Sequence, residues 1–190
     1  QSASGAGARA MEELAQQTRD IAEGRSPNVE VFPHQIAMNL FSHNTPINEY
    51  GYNEEEWKVI QETRKTLDMP NLAIEITCIR VPVMRAHSIA INVEFEGPAP
   101  SVEAMREAIS TTPGLKLEDN RDANTFPMPV TAAGRDEILV GRLRCDSSNP
   151  NAISMFACGD QLLKGAALNG LQIAERLVAE GRIGVEVAAN

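Results

Sequence analysis

From Ala73 to Phe95 the chain reads as two β-strands in close succession, and no other stretch restricts the possible folds so tightly. Ala73 to Val81 is rich in β-branched residues, and its period-two alternation puts Ile74, Ile76, Cys78 and Arg80 on one face. After the loop Pro82-Val83-Met84-Arg85-Ala86, His87 to Phe95 alternates again. His87, Ile89, Ile91, Val93 and Phe95 share one face, and Ser88, Ala90, Asn92 and Glu94 the other. Arg80 therefore ends one apolar row and His87 begins the next. A guanidinium at a strand end either snorkels out to water or meets an anion in a sheltered pocket. A histidine there is either a satisfied structural residue or a proton-transfer group. The parity predicts that both side chains line one cleft.

The flanking pattern alternates helices and strands within one core. Ala10, Met11, Leu14, Ala15, Thr18, Ile21 and Ala22 form a helical stripe that Gly24 ends. It is preceded by Ser2-Ala3-Ser4-Gly5-Ala6-Gly7, either a plain loop or a turn whose backbone N–H groups could meet an anion. Asn28 to Tyr52 reads as loop, short strand and loop. Asn53-Glu54-Glu55-Glu56 is an N-cap with Glu at the third helical position, followed by Trp57, Ile60, Thr63 and Leu67 at helical spacing. Ser101 opens a helix built on Val102, Met105 and Ile109. Gly114 to Thr131 predicts a short strand and a long loop, and Glu137 to Cys145 and Ala152 to Cys158 predict two more strands. Asp160 to Glu180 is a final helix whose apolar stripe is wider than one core face requires. Such a helix implies a missing domain or a subunit interface.

Composition narrows the function classes. Seventeen Lys+Arg against 26 Asp+Glu leave a net charge of −9, which opposes attraction to nucleic-acid backbones and anionic lipid. No run approaches the roughly 18 apolar residues of a membrane span, and Gln1-Ser2-Ala3-Ser4 has no basic or apolar targeting region. Neither nucleic acid nor a membrane is expected as a partner. Cys78, Cys145 and Cys158 lack C-x-x-C spacing, so no metal site or disulfide framework is expected, and a reducing cytoplasm fits.

The run Cys78-Ile79-Arg80-Val81-Pro82-Val83-Met84-Arg85-Ala86-His87-Ser88 resembles the signature of aspartate-semialdehyde dehydrogenases: Cys-x-Arg, the same gap, then His and a small residue. The signature usually has Gly, Ser or Cys before the His, where this chain has Ala86. The resemblance extends through Gln1-Ser2-Ala3-Ser4-Gly5-Ala6-Gly7, Glu55-Glu56-Trp57-Lys58 and Gly159-Asp160-Gln161-Leu162-Leu163-Lys164-Gly165-Ala166-Ala167, and so covers residues 1 to 180. It implies an α+β fold with a mixed, mostly antiparallel sheet and helices on one face, like the C-terminal domain of glyceraldehyde-3-phosphate dehydrogenases. It also implies the NADP-dependent, reversible reductive dephosphorylation of L-4-aspartyl phosphate to L-aspartate 4-semialdehyde, early in lysine, threonine and methionine biosynthesis. In that family a cysteine thiolate carries the acyl group as a thioester.

By this resemblance His87 would be the general acid/base, Arg80 would hold the substrate α-carboxylate, Glu55 would meet its amino group, Lys58 the phosphate, and Gln1 would help place the substrate. Ser4, Gly5 and Gln161 would contact NADP. Without the resemblance, Glu55 and Lys58 read as a surface ion pair, Gln161 as helix-start polarity and Cys78 as a packed strand residue. The family's Gly-rich nucleotide-binding half and its nucleophilic cysteine are not among these residues. The resemblance thus implies a C-terminal catalytic and dimerisation portion, inactive alone, in a homodimer whose NADP is bound mainly by the N-terminal half. In that reading residues 1–159 are the catalytic and dimerisation domain, 160–181 a helix packing on the nucleotide-binding half, and 182–190 a tail. Two other readings stay open: an N-acetyl-glutamyl-phosphate reductase-like enzyme, against which Arg80 and Glu55 argue, and a non-catalytic dimerisation or regulatory module.

Overall fold

The computed structural model describes residues 1–183, so most of the expected tail lies outside the described residues. The chain divides into two compact units, Gln1–Met84 and one beginning at Arg85.

In the first unit a short 3₁₀ turn, Ala3–Ala6, leads through Gly7 into α1 (Ala8–Ala22). Ala10, Leu14 and Gln17 are buried at helical spacing, and Ala10 and Leu14 pack with Ala3, Phe32, Ile36 and Ala37. The expected stripe differs in its second half: Thr18 and Ala22 are exposed, while Gln17 and Asp20 are buried. For Gln17 the reason is backbone satisfaction. Gln17 Nε2 donates to Asn28 O at 2.8 Å, and its Oε1 accepts from Ile36 N at 2.9 Å and Ala37 N at 3.1 Å. One amide thereby serves a buried loop that has no ladder of its own.

The expected short strand is β1 (Phe41–Ser42). α2 (Glu54–Thr66) starts with the capping box read from the sequence: Asn53 Oδ1 accepts from Glu56 N, and Glu56 Oε2 accepts from Asn53 N, both at 2.9 Å. The strand expected over Ala73–Val81 is extended, with Cys78 and Arg80 buried and Thr77 and Ile79 exposed, but only β2 (Ile79–Arg80) forms a ladder. It pairs antiparallel with β1, Phe41 opposite Arg80. The preceding backbone finds other partners: Cys78 N donates to the Glu56 carboxylate at 2.8 Å, which takes the place of a strand neighbour.

The second unit is a four-stranded mixed sheet. It contains β3 (His87–Glu94), α3 (Val102–Thr111, capped by Ser101), β4 (Leu115–Leu117), α4 (Pro129–Ala132), β5 (Ile138–Cys145) and β6 (Ala152–Gly159). The strand order is β3-β6-β5-β4, with only the β4–β5 pair parallel. α3 covers one face: Val102, Met105 and Ile109 pack with Ile91, Val140, Leu143 and Ala157. On the opposite parity Leu139 and Cys158 meet Ala86 and Ala132 beside α4, a turn of helix the sequence pattern does not reveal.

The final helix begins as a π-helical turn, Leu163–Ala167, and continues as α5 (Leu168–Ala179). Leu171, Ile173 and Val178 on it are exposed. No described helix is long and apolar enough to cross a membrane.

Candidate functional site

The capping box fixes the first turn of α2, and with it the direction of the neighbouring Glu55 and Lys58. Their carboxylate and ammonium form an ion pair at 2.6 Å. Glu55 also accepts from Gln1 Nε2 at 2.9 Å. Gln1 in turn lies along β2, its nitrogen donating to Ile79 O at 2.6 Å and its carbonyl accepting from Val81 N at 3.1 Å. Burial works to raise the Glu55 pKa, but hydrogen bonds from Lys58 and Gln1 outweigh it and hold the carboxyl below its ordinary value. Glu55 is a carboxylate at neutral pH.

Arg80 sits inside this arrangement because Cys78 and Arg80 share the inward parity of an extended segment. Only 6 % of its surface is exposed. Nη1 donates to Ser2 O at 3.2 Å, Nη2 donates to His43 Nε2 at 2.9 Å, and the guanidinium lies 5.8 Å from the centre of the Phe32 ring. Its buried Nε has no hydrogen-bond partner among the described residues. Burial lowers the Arg80 pKa while the charge of Glu55 opposes the shift, and a guanidinium so placed remains charged. A desolvated cation with an unspent donor, beside a carboxylate, matches a small zwitterion such as an amino acid.

Glu56 braces this cluster from beneath. Its two oxygens accept from Asn53 N and Cys78 N, so one buried carboxylate ties the start of α2 to the segment that carries Arg80. Glu56→Gln is expected to lower stability by about 2 kcal/mol, since its amide must present a donor to one of two buried N–H groups. Thermal unfolding checks this; a melting temperature unchanged by the substitution would contradict it.

Ser4 and Gly5 lie in the 3₁₀ turn. Ser4 N donates to Met84 O at 3.0 Å, Gly5 N to Ser2 O at 3.2 Å and Gly7 N to Ser4 O at 3.0 Å. These N–H groups are therefore spent within the chain, and the anion-binding variant of the turn is not what the backbone builds. What the turn offers is shape: Gly5, Ala6 and Gly7 are exposed and small.

His87 and Gln161 belong to the second unit. His87 opens β3, opposite Gly159 at the end of β6. Ala86 before it has φ 72°, the left-handed region that glycine enters freely, which gives a physical reason for a small residue there. Gln161 follows Asp160, a fully buried carboxylate. Asp160 Oδ2 accepts from Arg85 Nε at 2.7 Å and Gly134 N at 2.6 Å, and Oδ1 accepts from Leu162 N at 3.1 Å. Burial tends to raise its pKa, but bonds from Gly134, Leu162 and Arg85 outweigh this and keep it ionised. The ion pair closes the end of the β3–β6 ladder just beyond His87 and Gly159, and so fixes the turn bearing Gln161.

The structure thus gathers Gln1, Glu55, Lys58 and Arg80 in the first unit and places His87 and Gln161 in the second. Sequence reasoning missed His43, Glu56 and Asp160. Asp160 had a helix-start position as a possible signal, Glu56 is read there only as a cap, and nothing local distinguishes His43.

The family profile described as semialdehyde dehydrogenase, dimerisation domain, matches residues 1–164. An aspartate-semialdehyde dehydrogenase of Synechocystis sp. is 54% identical over 95% of this chain and 53% of its own length. One from Aquifex aeolicus is 45% identical over 96% of this chain and 54% of its own. The crystal structure of aspartate semialdehyde dehydrogenase II from Vibrio cholerae complexed with ASA superposes with a TM-score of 0.88 at 38% identity, covering 94% of this chain and 52% of that one. The chain spans about half the length of the curated relatives it matches.

Proposed function

This chain belongs to the aspartate-semialdehyde dehydrogenase family, and we propose that it is the C-terminal catalytic and dimerisation portion of such an enzyme. The reaction is the reversible, NADP-dependent reductive dephosphorylation of L-4-aspartyl phosphate to L-aspartate 4-semialdehyde. The observation that carries this reading is Arg80: a buried guanidinium with a free Nε–H, held beside the ionised Glu55.

Arg80 binds the substrate α-carboxylate, a task for which a planar fork of donors is suited. Glu55 meets the α-ammonium, the only complementary charge left on the amino-acid end. Lys58 is half exposed at the rim of the pair and takes the phosphate, and Gln1 holds Glu55 while completing the substrate contact. His87 handles the proton of the thiol and of the tetrahedral adduct as general acid/base. The thiol itself belongs to the N-terminal half, so this chain alone is expected to be inactive.

NADP, when bound, accepts or delivers the hydride. Exposed Gly5 and its small neighbours offer NADP a contact surface; the roles of buried Ser4 and of Gln161 rest on the resemblance alone, and the N-terminal half would supply the rest. A Candida albicans relative, at 27% identity and a TM-score of 0.57, was solved with NADP, which supports this choice. The exposed Leu171, Ile173 and Val178 of α5 support a helix that packs on the nucleotide-binding half. The sheet face opposite α3, with Ala90, Asn92 and Arg144 exposed, serves a homodimer in the cytoplasm.

The test is Arg80→Lys in the full-length enzyme, assayed by NADP reduction with aspartate semialdehyde and phosphate. Lysine keeps the charge but loses the fork, so KM for aspartate semialdehyde is expected to rise roughly 10–100-fold. An unchanged KM would overturn the assignment.

A further inference from the structure

His43 is 37 positions from Arg80 in sequence, yet its Nε2 lies 2.9 Å from Arg80 Nη2. A guanidinium has donors only, so Nε2 must be the acceptor. That fixes the tautomer: His43 is neutral, its proton sits on Nδ1, and Nδ1 faces Thr45 Oγ1 at 3.3 Å. The backbone is fixed as well, since His43 N donates to Cys78 O at 2.9 Å, immediately beyond the β1–β2 ladder. His43 is thus tied to the Arg80 strand by both its main chain and its ring.

Resting on the reading of Arg80 as the carboxylate binder, we propose that neutral His43 is a positioning residue that sets the rotation of the Arg80 guanidinium for the substrate α-carboxylate. Ser2 O anchors Nη1 and His43 Nε2 anchors Nη2. Two fixed acceptors define the plane of the fork, and the Nε edge is left with an unspent donor. Without His43 the guanidinium keeps one anchor and turns about it. The charge on Arg80 survives, and its aim does not.

Protonation has the same effect as removal, because imidazolium offers no acceptor and repels Arg80. The charged side chains facing His43 are Arg80 from β2 and Glu55 and Lys58 from α2. Burial first and then the Arg80 charge push the His43 pKa below 6.5, with Glu55 opposing, so the neutral form holds at pH 7 and is lost only in more acidic solution. Substrate binding therefore weakens as the pH falls through that depressed value.

The experiment uses the full-length enzyme carrying His43→Ala, His43→Gln or Arg80→Leu, with KM for aspartate semialdehyde and kcat measured from pH 5 to 8. His43→Ala should raise KM roughly tenfold with kcat changed less than about threefold, the loss of one hydrogen bond to a charged group. His43→Gln, whose amide oxygen is a neutral acceptor, should restore KM and remove its rise in acid relative to wild type. Equal KM for His43→Ala and wild type would overturn the inference, as would a His43→Gln variant no better than His43→Ala. Arg80→Leu separates the two levels: if its KM is unchanged the carboxylate reading itself falls, and if only Arg80→Leu raises KM, His43 alone is excluded.

Discussion

Replacing His87 with alanine in the full-length enzyme should lower kcat by roughly 10²–10⁴-fold, the usual contribution of a positioned general acid/base. The structure makes this substitution a clean one. His87 is the first residue of β3, and its main chain is paired with Gly159, so the ladder survives truncation of the side chain. The ion pair of Arg85 with buried Asp160 holds the same strand end independently. The ring is only half-buried, so little packing is lost. Stability should therefore change by less than about 1 kcal/mol, within the range of substitutions that leave the core alone. KM for aspartate semialdehyde should stay near wild type, because the proposed reading assigns substrate binding to Arg80 and Glu55. A fall in kcat of less than tenfold, with the fold intact, would remove His87 from the chemistry and with it the role carried over from the signature.

The residues of this site were legible in the sequence to different degrees, and the reason is range. Parity placed Arg80 on the same side as Cys78, Ile76 and Ile74, and the capping box located the first turn of α2, because both follow from neighbours within a few positions. The strands of the mixed sheet were readable on the same basis. Their resemblance to a known signature then turned ambiguous side chains, such as the Glu55–Lys58 pair, into candidates with roles. His43 could not be found this way. Its value lies in a contact with Arg80 that the β1–β2 pairing creates, and no local pattern encodes that pairing. Gln17 escaped for a related reason: a polar residue on an apolar stripe makes sense only once the loop whose N–H groups it serves is seen. The length of the strand around Arg80 was overread, since alternation reports which side is buried and not whether a ladder partner exists.

Gly141→Ala should lower stability by at least about 3 kcal/mol, more than most single substitutions, because the space a methyl group needs is filled by backbone. A Cβ at Gly141 would stand 2.1 Å from Glu118 O, 2.8 Å from Pro127 Cδ and 3.0 Å from Glu118 C. Side chains could swing away from such a clash, but this carbonyl cannot. Glu118 N donates to Val140 O at 2.8 Å, continuing the parallel β4–β5 pairing. The next residue, Asp119, accepts from Arg142 N at 2.9 Å through Oδ1 and from Arg106 through both Oδ2 and its carbonyl. The 118–119 segment is therefore locked to both the neighbouring strand and α3. Relief must come from β5 itself, which already carries a register shift between Gly141 and Arg144 and a positive φ of 55° at Arg142. A domain of this size should lose roughly 6–12 °C in melting temperature. Gly97→Ala is the matched control, since nothing lies within 4 Å of a Cβ there, and it should melt with wild type. If both variants melt alike, the close approach of β4 to β5 is not a constraint on the sheet. If only Gly141→Ala falls, the strand pair that leads through β6 to Gly159, Asp160 and Gln161 depends on one missing side chain.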